Sequence, residues 1–163
     1  MSSEGKDARD KLPWLERDHE RIRSLVDAVT VTSRYTATQF VLHRLLEDLR
    51  SLSLWHFDRQ HHALSIAGLT PSHCDEQAEV LGRLANAQSR LHSGKTLDKV
   101  ELVEFLKRWS ERHIAQCSRE LCEAAATASY GTHWDLVHTG AIYPNKLRNS
   151  IPPDPQTSGT FIV

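Results

Sequence analysis

Residues 99–126, KVELVEFLKRWSERHIAQCSRELCEAAA, carry the pattern that decides the fold of this 163-residue chain. Apolar side chains recur in this stretch at spacings of three and four residues, which places them on one face of an α-helix. Thr96 or Asp98 is positioned to cap the N-terminus of that helix, which we predict to reach about Ala126. The predicted inward face consists of Leu102, Leu106, Trp109, His113, Cys117 and Leu121.

Three earlier segments have the same helical period, and no stretch alternates like a β-strand. We predict helices over about residues 15–31, 38–67 and 72–92, with breaks marked by Gly68 and Gly94. Four amphipathic helices with short links predict an all-α fold, an antiparallel up-down-up-down four-helix bundle over residues 12–127. Residues 128–163 lose the periodicity and are predicted to form an irregular C-terminal extension, partly packed or flexible.

Composition limits the classes of function. Lys and Arg nearly balance Asp and Glu, with a formal net charge of -1, which argues against binding nucleic acid or anionic membranes by bulk charge. No apolar run approaches the roughly 20 residues of a transmembrane helix, and no secretory signal is visible, so we expect a cytoplasmic protein. We expect no enzyme, because the sequence has no phosphate-binding loop, no nucleophile elbow and no pair of carboxylates on the inward helix faces near the histidines.

Histidines are the anomaly of the composition, since the chain has ten of them. In an antiparallel bundle the starts of odd helices and the ends of even helices lie at the same end. With a rise of about 1.5 Å per residue, four inward histidines from four helices then lie at nearly one level. Burying four imidazoles together requires partners for their nitrogens, and a shared metal ion or cofactor supplies one. The predicted metal ligands are His19, His56, His73 and His113.

The sequence resembles hemerythrins and their bacterial relatives over roughly residues 12–125. The resemblance rests on ERDH at 16–19, WHF at 55–57, PSH at 71–73, LKRW at 106–109 and His113. It implies a four-helix bundle that holds two irons with five histidines and two bridging carboxylates, and the four histidines match that pattern. The other three positions are Gln60, Gln77 and Ser118, which are poor metal ligands. A standard diiron centre is therefore not expected.

Several occupants of the altered site stay open. One mononuclear ion, iron or zinc, is the simplest, with Cys117 either adding a thiolate or packing as a small core residue. His61 could reach the site from the side. Non-covalent heme is a second option. In a third, Gln60, Gln77 and Ser118 hydrogen-bond the imidazoles of a relic site, and the protein regulates through a protein partner or a homo-oligomer.

The leading expectation for function combines the site with the resemblance. It is a hemerythrin-like binding protein with a histidine-rich, carboxylate-poor site. Its expected role is sensing, storage or carriage of a metal or of a diatomic gas such as oxygen or nitric oxide.

Overall fold

The computed structural model of the chain describes residues 12–35 and 39–127, and its regular elements are all α-helices. The helices are α1 (Pro13–Ser33), α2 (Gln39–Ile66), α3 (Cys74–His92) and α4 (Lys99–Thr127). The predicted all-α class is confirmed, and the three earlier helices begin and end within two residues of their predicted bounds. The predicted C-terminal extension, residues 128–163, lies outside the described residues.

Glycines end α2 and α3. Gly68 and Gly94 have φ values of 72° and 67°, a left-handed conformation that glycine adopts without steric cost. After each glycine the next amide donates a hydrogen bond back across the last turn, which satisfies carbonyls that the helix leaves unpaired. These bonds run from Leu69 to Leu64 (2.9 Å) and from Lys95 to Arg90 (2.8 Å).

Side chains near the N-termini set the starts of α1 and α4. Pro13 is the first residue of α1, where its missing N–H is not needed by the helix. Asp98 precedes α4, and its Oδ1 accepts a hydrogen bond of 2.9 Å from the backbone N–H of Glu101. This is the capping role that the sequence allowed for Asp98.

The core consists of two apolar clusters. The larger one surrounds Trp109 and Phe57, and the smaller one surrounds Trp14 and Leu121. Along α1, α2 and α4 the buried histidines lie between residues of the two clusters. The imidazoles are therefore enclosed by apolar packing on both sides, away from bulk water.

Contacts between helices are those expected of a helical bundle. α1 packs against α2 and α4, α2 packs against α3 and α4, and α3 contacts α4. None of these four helices combines the length and the apolar character that crossing a bilayer requires.

Candidate metal centre

Three helices bring four potential metal ligands to one point. His19 comes from α1, His56 from α2, and His113 and Cys117 from α4. One ligand atom from each residue lies within 4.8 Å of every other, and all four residues are buried. His113 and Cys117 are four residues apart, so one face of α4 presents both. The structure thus brings together three of the four predicted histidine ligands and the cysteine that the sequence left open.

The spacing of the donor atoms suits one small cation. His56 Nε2 lies 3.1 Å from His113 Nε2 and 3.7 Å from Cys117 Sγ. In a tetrahedral zinc site, usual bond lengths place two nitrogens about 3.3 Å apart and a nitrogen and a sulfur about 3.6 Å apart. These two distances are close to the values of a tetrahedral zinc site, and the other donor pairs lie within 4.8 Å of one another.

Some ring nitrogens at this centre have no protein partner. Neither nitrogen of His19 makes a hydrogen bond to any part of the chain that the structure describes, and the same holds for Nδ1 of His113. Both rings are fully buried. A buried polar atom without a partner costs roughly 1–3 kcal/mol, and coordination of a metal by a ring nitrogen removes one such cost. The unpartnered nitrogens of His19 are therefore an observation in favour of a bound ion.

Burial keeps the imidazoles of His19 and His113 neutral. Desolvation lowers the pKa of His19 from 6.5 to about 3, with further lowering from the charges of His56 and Arg23. The pKa of His113 falls to about 2, again mainly through burial and then through the neighbouring histidines. Only neutral imidazole has a lone pair for a metal, so both rings are ready to bind over the physiological pH range.

The thiol of Cys117, unlike the two neutral imidazoles, must lose a proton before it can coordinate a metal. Burial raises the pKa of Cys117 well above its ordinary value, and the nearby carboxylates of Glu120 and Asp18 raise it further. The thiol is therefore protonated in the metal-free protein. A divalent cation at the centre would displace that proton, because thiolate is the form that coordinates metals.

A buried carboxylate lies behind His56. Asp18 Oδ2 is 3.3 Å from His56 Nδ1, on the side of the ring opposite the centre, and 3.4 Å from Nη1 of Arg59. The Arg59 guanidinium stacks on the rings of Trp14 and Trp55, at 4.3 and 4.2 Å from their centroids. Asp18 and Arg59 are both buried.

His73, the fourth predicted ligand, lies beside the centre but is bonded elsewhere. Its ring centroid is 5.3 Å from that of His113. Its Nε2, however, is 3.0 Å from Nε2 of Gln60, and its Nδ1 is 3.3 Å from Oε1 of Glu120. His73 also precedes α3 as its N-cap residue, whereas the sequence predicted it inside the helix.

Three of the remaining predicted residues, Gln60, Gln77 and His61, form a hydrogen-bonded group next to His73. Gln77 donates to Oε1 of Gln60 at 2.9 Å, and its own Oε1 is 2.7 Å from Nε2 of His61. His61 therefore bonds to Gln77 and is not among the four converging ligands. Ser118 is only half-buried and is not one of those ligands either.

Sequence reasoning missed three charged residues around the centre: Asp18, Arg59 and Glu120. A signal was present for Glu120, because it follows His113 by seven residues and hence lies on the same face of α4. Arg59 follows His56 by three residues, which also places it near that face of α2. Nothing local distinguished Asp18 from an ordinary acidic residue near the start of a helix.

Comparison with known proteins gives no match. No family model, no curated protein and no solved structure is detectably similar to the chain. The resemblance to hemerythrins therefore stays a prediction from the quoted motifs, and the proposals that follow depend on the residues of the centre itself.

Proposed function

We propose that this protein binds one transition metal ion through His19, His56, His113 and Cys117, and that it serves in sensing, storage or carriage of that metal. One observation carries the proposal: four buried donor atoms from three helices lie within 4.8 Å of one another. Buried polar side chains without a ligand ordinarily find hydrogen-bond partners in the protein. His19 has no such partner among the described residues, which supports a metal ion as the partner of its ring.

The chemistry of the donors favours zinc or iron. Three imidazoles and one thiolate form a borderline-soft set, which suits zinc, iron or copper and disfavours calcium and magnesium. Zinc has no geometric preference of its own and accepts a compact tetrahedral arrangement of this kind. Zinc is therefore the first candidate, and ferrous iron the second.

A single ion is favoured over a pair. Two adjacent cations repel each other and need bridging carboxylates, which the hemerythrin resemblance would place where Gln60 and Ser118 stand. Gln60 instead bonds both Gln77 and His73, which leaves His73 outside the donor group. Asp18 is next to His56, but its carboxylate contacts the ring nitrogen that faces away from the centre.

The same geometry weighs against heme and against a gas as primary ligand. Axial imidazoles on opposite sides of a heme iron have nitrogens about 4 Å apart, at about 2 Å from the metal each, whereas His56 and His113 are separated by 3.1 Å. Four protein ligands also complete a tetrahedral coordination shell. Ions that bind a substrate or a gas usually keep one coordination position open, and no such position would remain here. We therefore favour a metal ion, and not heme or a gas, as what the protein binds.

We also propose that the helices form the antiparallel up-down-up-down bundle predicted from the sequence. In support, Arg83 on α3 pairs with Glu101 on α4, while the earlier Glu76 pairs with the later Arg112. Later residues of α3 thus pair with earlier residues of α4, as in two antiparallel helices. The short connections at residues 67–73 and 93–98 are typical of antiparallel neighbours.

Cobalt(II) titration of the metal-free protein tests the function. We expect one equivalent to bind, with the intense visible bands of tetrahedral cobalt and a near-ultraviolet band from thiolate to cobalt. Cys117→Ser should lose the near-ultraviolet band, and Cys74→Ser, which changes an exposed thiol, should keep it. His56→Ala and His113→Ala should weaken binding.

Two results would overturn the proposal. Purification of the protein with a Soret band would indicate heme. Absence of cobalt bands, together with absence of metal in protein isolated without chelators, would indicate a relic site in a protein that acts through its surface.

A further inference from the structure

We infer that Asp18 is a positioning residue for the metal centre: held by Arg59, it fixes the ring of His56 so that Nε2 presents its lone pair to the ion. The inference rests on the proposed metal function. It gives a role at the centre to Asp18, which is not one of the four proposed ligands. Metal-binding histidines commonly donate their second ring nitrogen to a carboxylate, which orients the ring and raises its basicity.

The hydrogen-bond pattern determines which nitrogen of His56 carries the proton. A carboxylate only accepts hydrogen bonds, so the contact of 3.3 Å with Asp18 requires a proton on Nδ1. In a neutral imidazole the other nitrogen then has a free lone pair. That nitrogen, Nε2, is the atom within 3.1 Å of His113 and 3.7 Å of Cys117.

Arg59 holds the carboxylate in place. Its Nη1 donates to the same Oδ2 of Asp18 that faces His56. The guanidinium is enclosed between Trp14 and Trp55, so its position is fixed by two aromatic faces. It also compensates the charge of Asp18 inside the protein, where an unpaired carboxylate would be costly.

This arrangement makes His56 different from the other two histidines. His19 has no hydrogen-bond partner on either nitrogen within the described residues, and the Nδ1 of His113 has none. Among residues 12–35 and 39–127, a carboxylate thus lies behind His56 and behind neither of the other two imidazoles. We therefore expect Asp18 to contribute to metal affinity through His56, although it does not touch the ion.

The test compares Asp18→Asn with Glu20→Gln, which removes the same charge from an exposed position on α1. Metal affinity is measured by competition between the protein and a chromogenic chelator for cobalt(II) and zinc. We expect Asp18→Asn to bind one equivalent with an affinity lower by about 10- to 100-fold, the usual effect of removing such a partner. Glu20→Gln should bind like the wild type.

A second measurement needs no metal. Nitrogen-15 shifts of the histidine rings in metal-free protein report which nitrogen is protonated, and the His56 signals are those lost in His56→Gln. We expect a proton on Nδ1 in the wild type and a mixture of tautomers in Asp18→Asn. A residue that served stability alone would not shift this ratio.

Folding is controlled for by a second pair of variants, because Asp18→Asn removes a buried ion pair with Arg59. If the single variant does not fold, Asp18→Asn with Arg59→Met is compared with Arg59→Met alone. Wild-type affinity and an unchanged tautomer on loss of Asp18 would overturn the inference and leave the proposed function intact. Failure of the wild type to bind cobalt would overturn the proposed function, and the inference with it.

Discussion

Acid should destabilise the metal-free protein strongly, through His19 and His113. An unfolded histidine has a pKa of 6.5, while in the folded protein burial lowers these two pKa values to about 3 and about 2. Between these limits the unfolded chain binds protons that the folded chain does not. Stability is therefore greatest above pH 6.5 and is lost as the pH falls.

The magnitude follows from the size of the shifts. One pKa unit corresponds to about 1.4 kcal/mol, so at pH 5 each of the two histidines lowers the free energy of unfolding by about 2 kcal/mol. Together they remove about 4 kcal/mol, a large part of the roughly 5–15 kcal/mol that stabilises a typical domain. The slope between pH 6 and 5 should be about 2.5 kcal/mol per pH unit from these residues alone.

Urea unfolding in the presence of a chelator, repeated at half-unit pH steps, measures that slope. His113→Gln removes one of the titrating groups and should reduce the slope by about 1.2 kcal/mol per pH unit. His19 should still contribute, because its pKa is lowered by burial, His56 and Arg23. His92→Gln replaces an exposed histidine and serves as the control with an unchanged slope.

The slopes of the three proteins are compared with one another because all three contain the same carboxylates and differ only at one histidine. The reasoning is refuted if the wild type and His113→Gln lose stability at the same rate between pH 6 and 5. That result would mean that the imidazole of His113 is protonated as easily in the folded protein as in the unfolded one.

Three further predictions concern stability at neutral pH, each measured by urea unfolding. Zinc at 100 times its dissociation constant should raise the free energy of unfolding by about 2.7 kcal/mol, and a chelator should reverse the gain. Trp109→Ala, in the core, should cost about 3–5 kcal/mol, whereas Val100→Ala on the surface should change stability by less than about 0.5 kcal/mol. Asp98→Ala should cost about 1 kcal/mol through loss of the cap on Glu101.

Local sequence was sufficient to predict the helices. Periodicity of three and four residues gave the apolar faces, and the ends were marked by residues whose effect is local. Gly68 and Gly94 adopt the left-handed conformation that ends a helix, and Asp98 caps the next one. Each of these effects depends on residues within one turn, so a single sequence contains the information.

The residues of the candidate site were predictable only where the apolar face of a single helix determines which side chains are buried. His19, His56 and His113 lie on inward helix faces. Cys117 follows His113 by four residues and therefore lies on the same face. The burial of Asp18 was not predictable in this way. It depends on contacts with α2, 38 and 41 residues further along the chain, and thus on how two helices pack.

The displacement of His73 from the donor group has a physical reason in the direction of its hydrogen bonds. Each amide donates with nitrogen and accepts with oxygen, so Gln77 donates to Gln60, and Gln60 donates to Nε2 of His73. The proton of His73 must then be on Nδ1, which faces the carboxylate of Glu120.

Both nitrogens of His73 are therefore satisfied within the protein, whereas neither nitrogen of His19 is satisfied within the described residues. Recruiting His73 to an ion would require the bond from Gln60 to break, at a cost of roughly 1–3 kcal/mol for each polar group left buried without a partner. Recruiting His19 requires no such loss. Gln60 and Glu120 thus give His73 partners of its own, and the donors free for the proposed ion are those of His19, His56, His113 and Cys117.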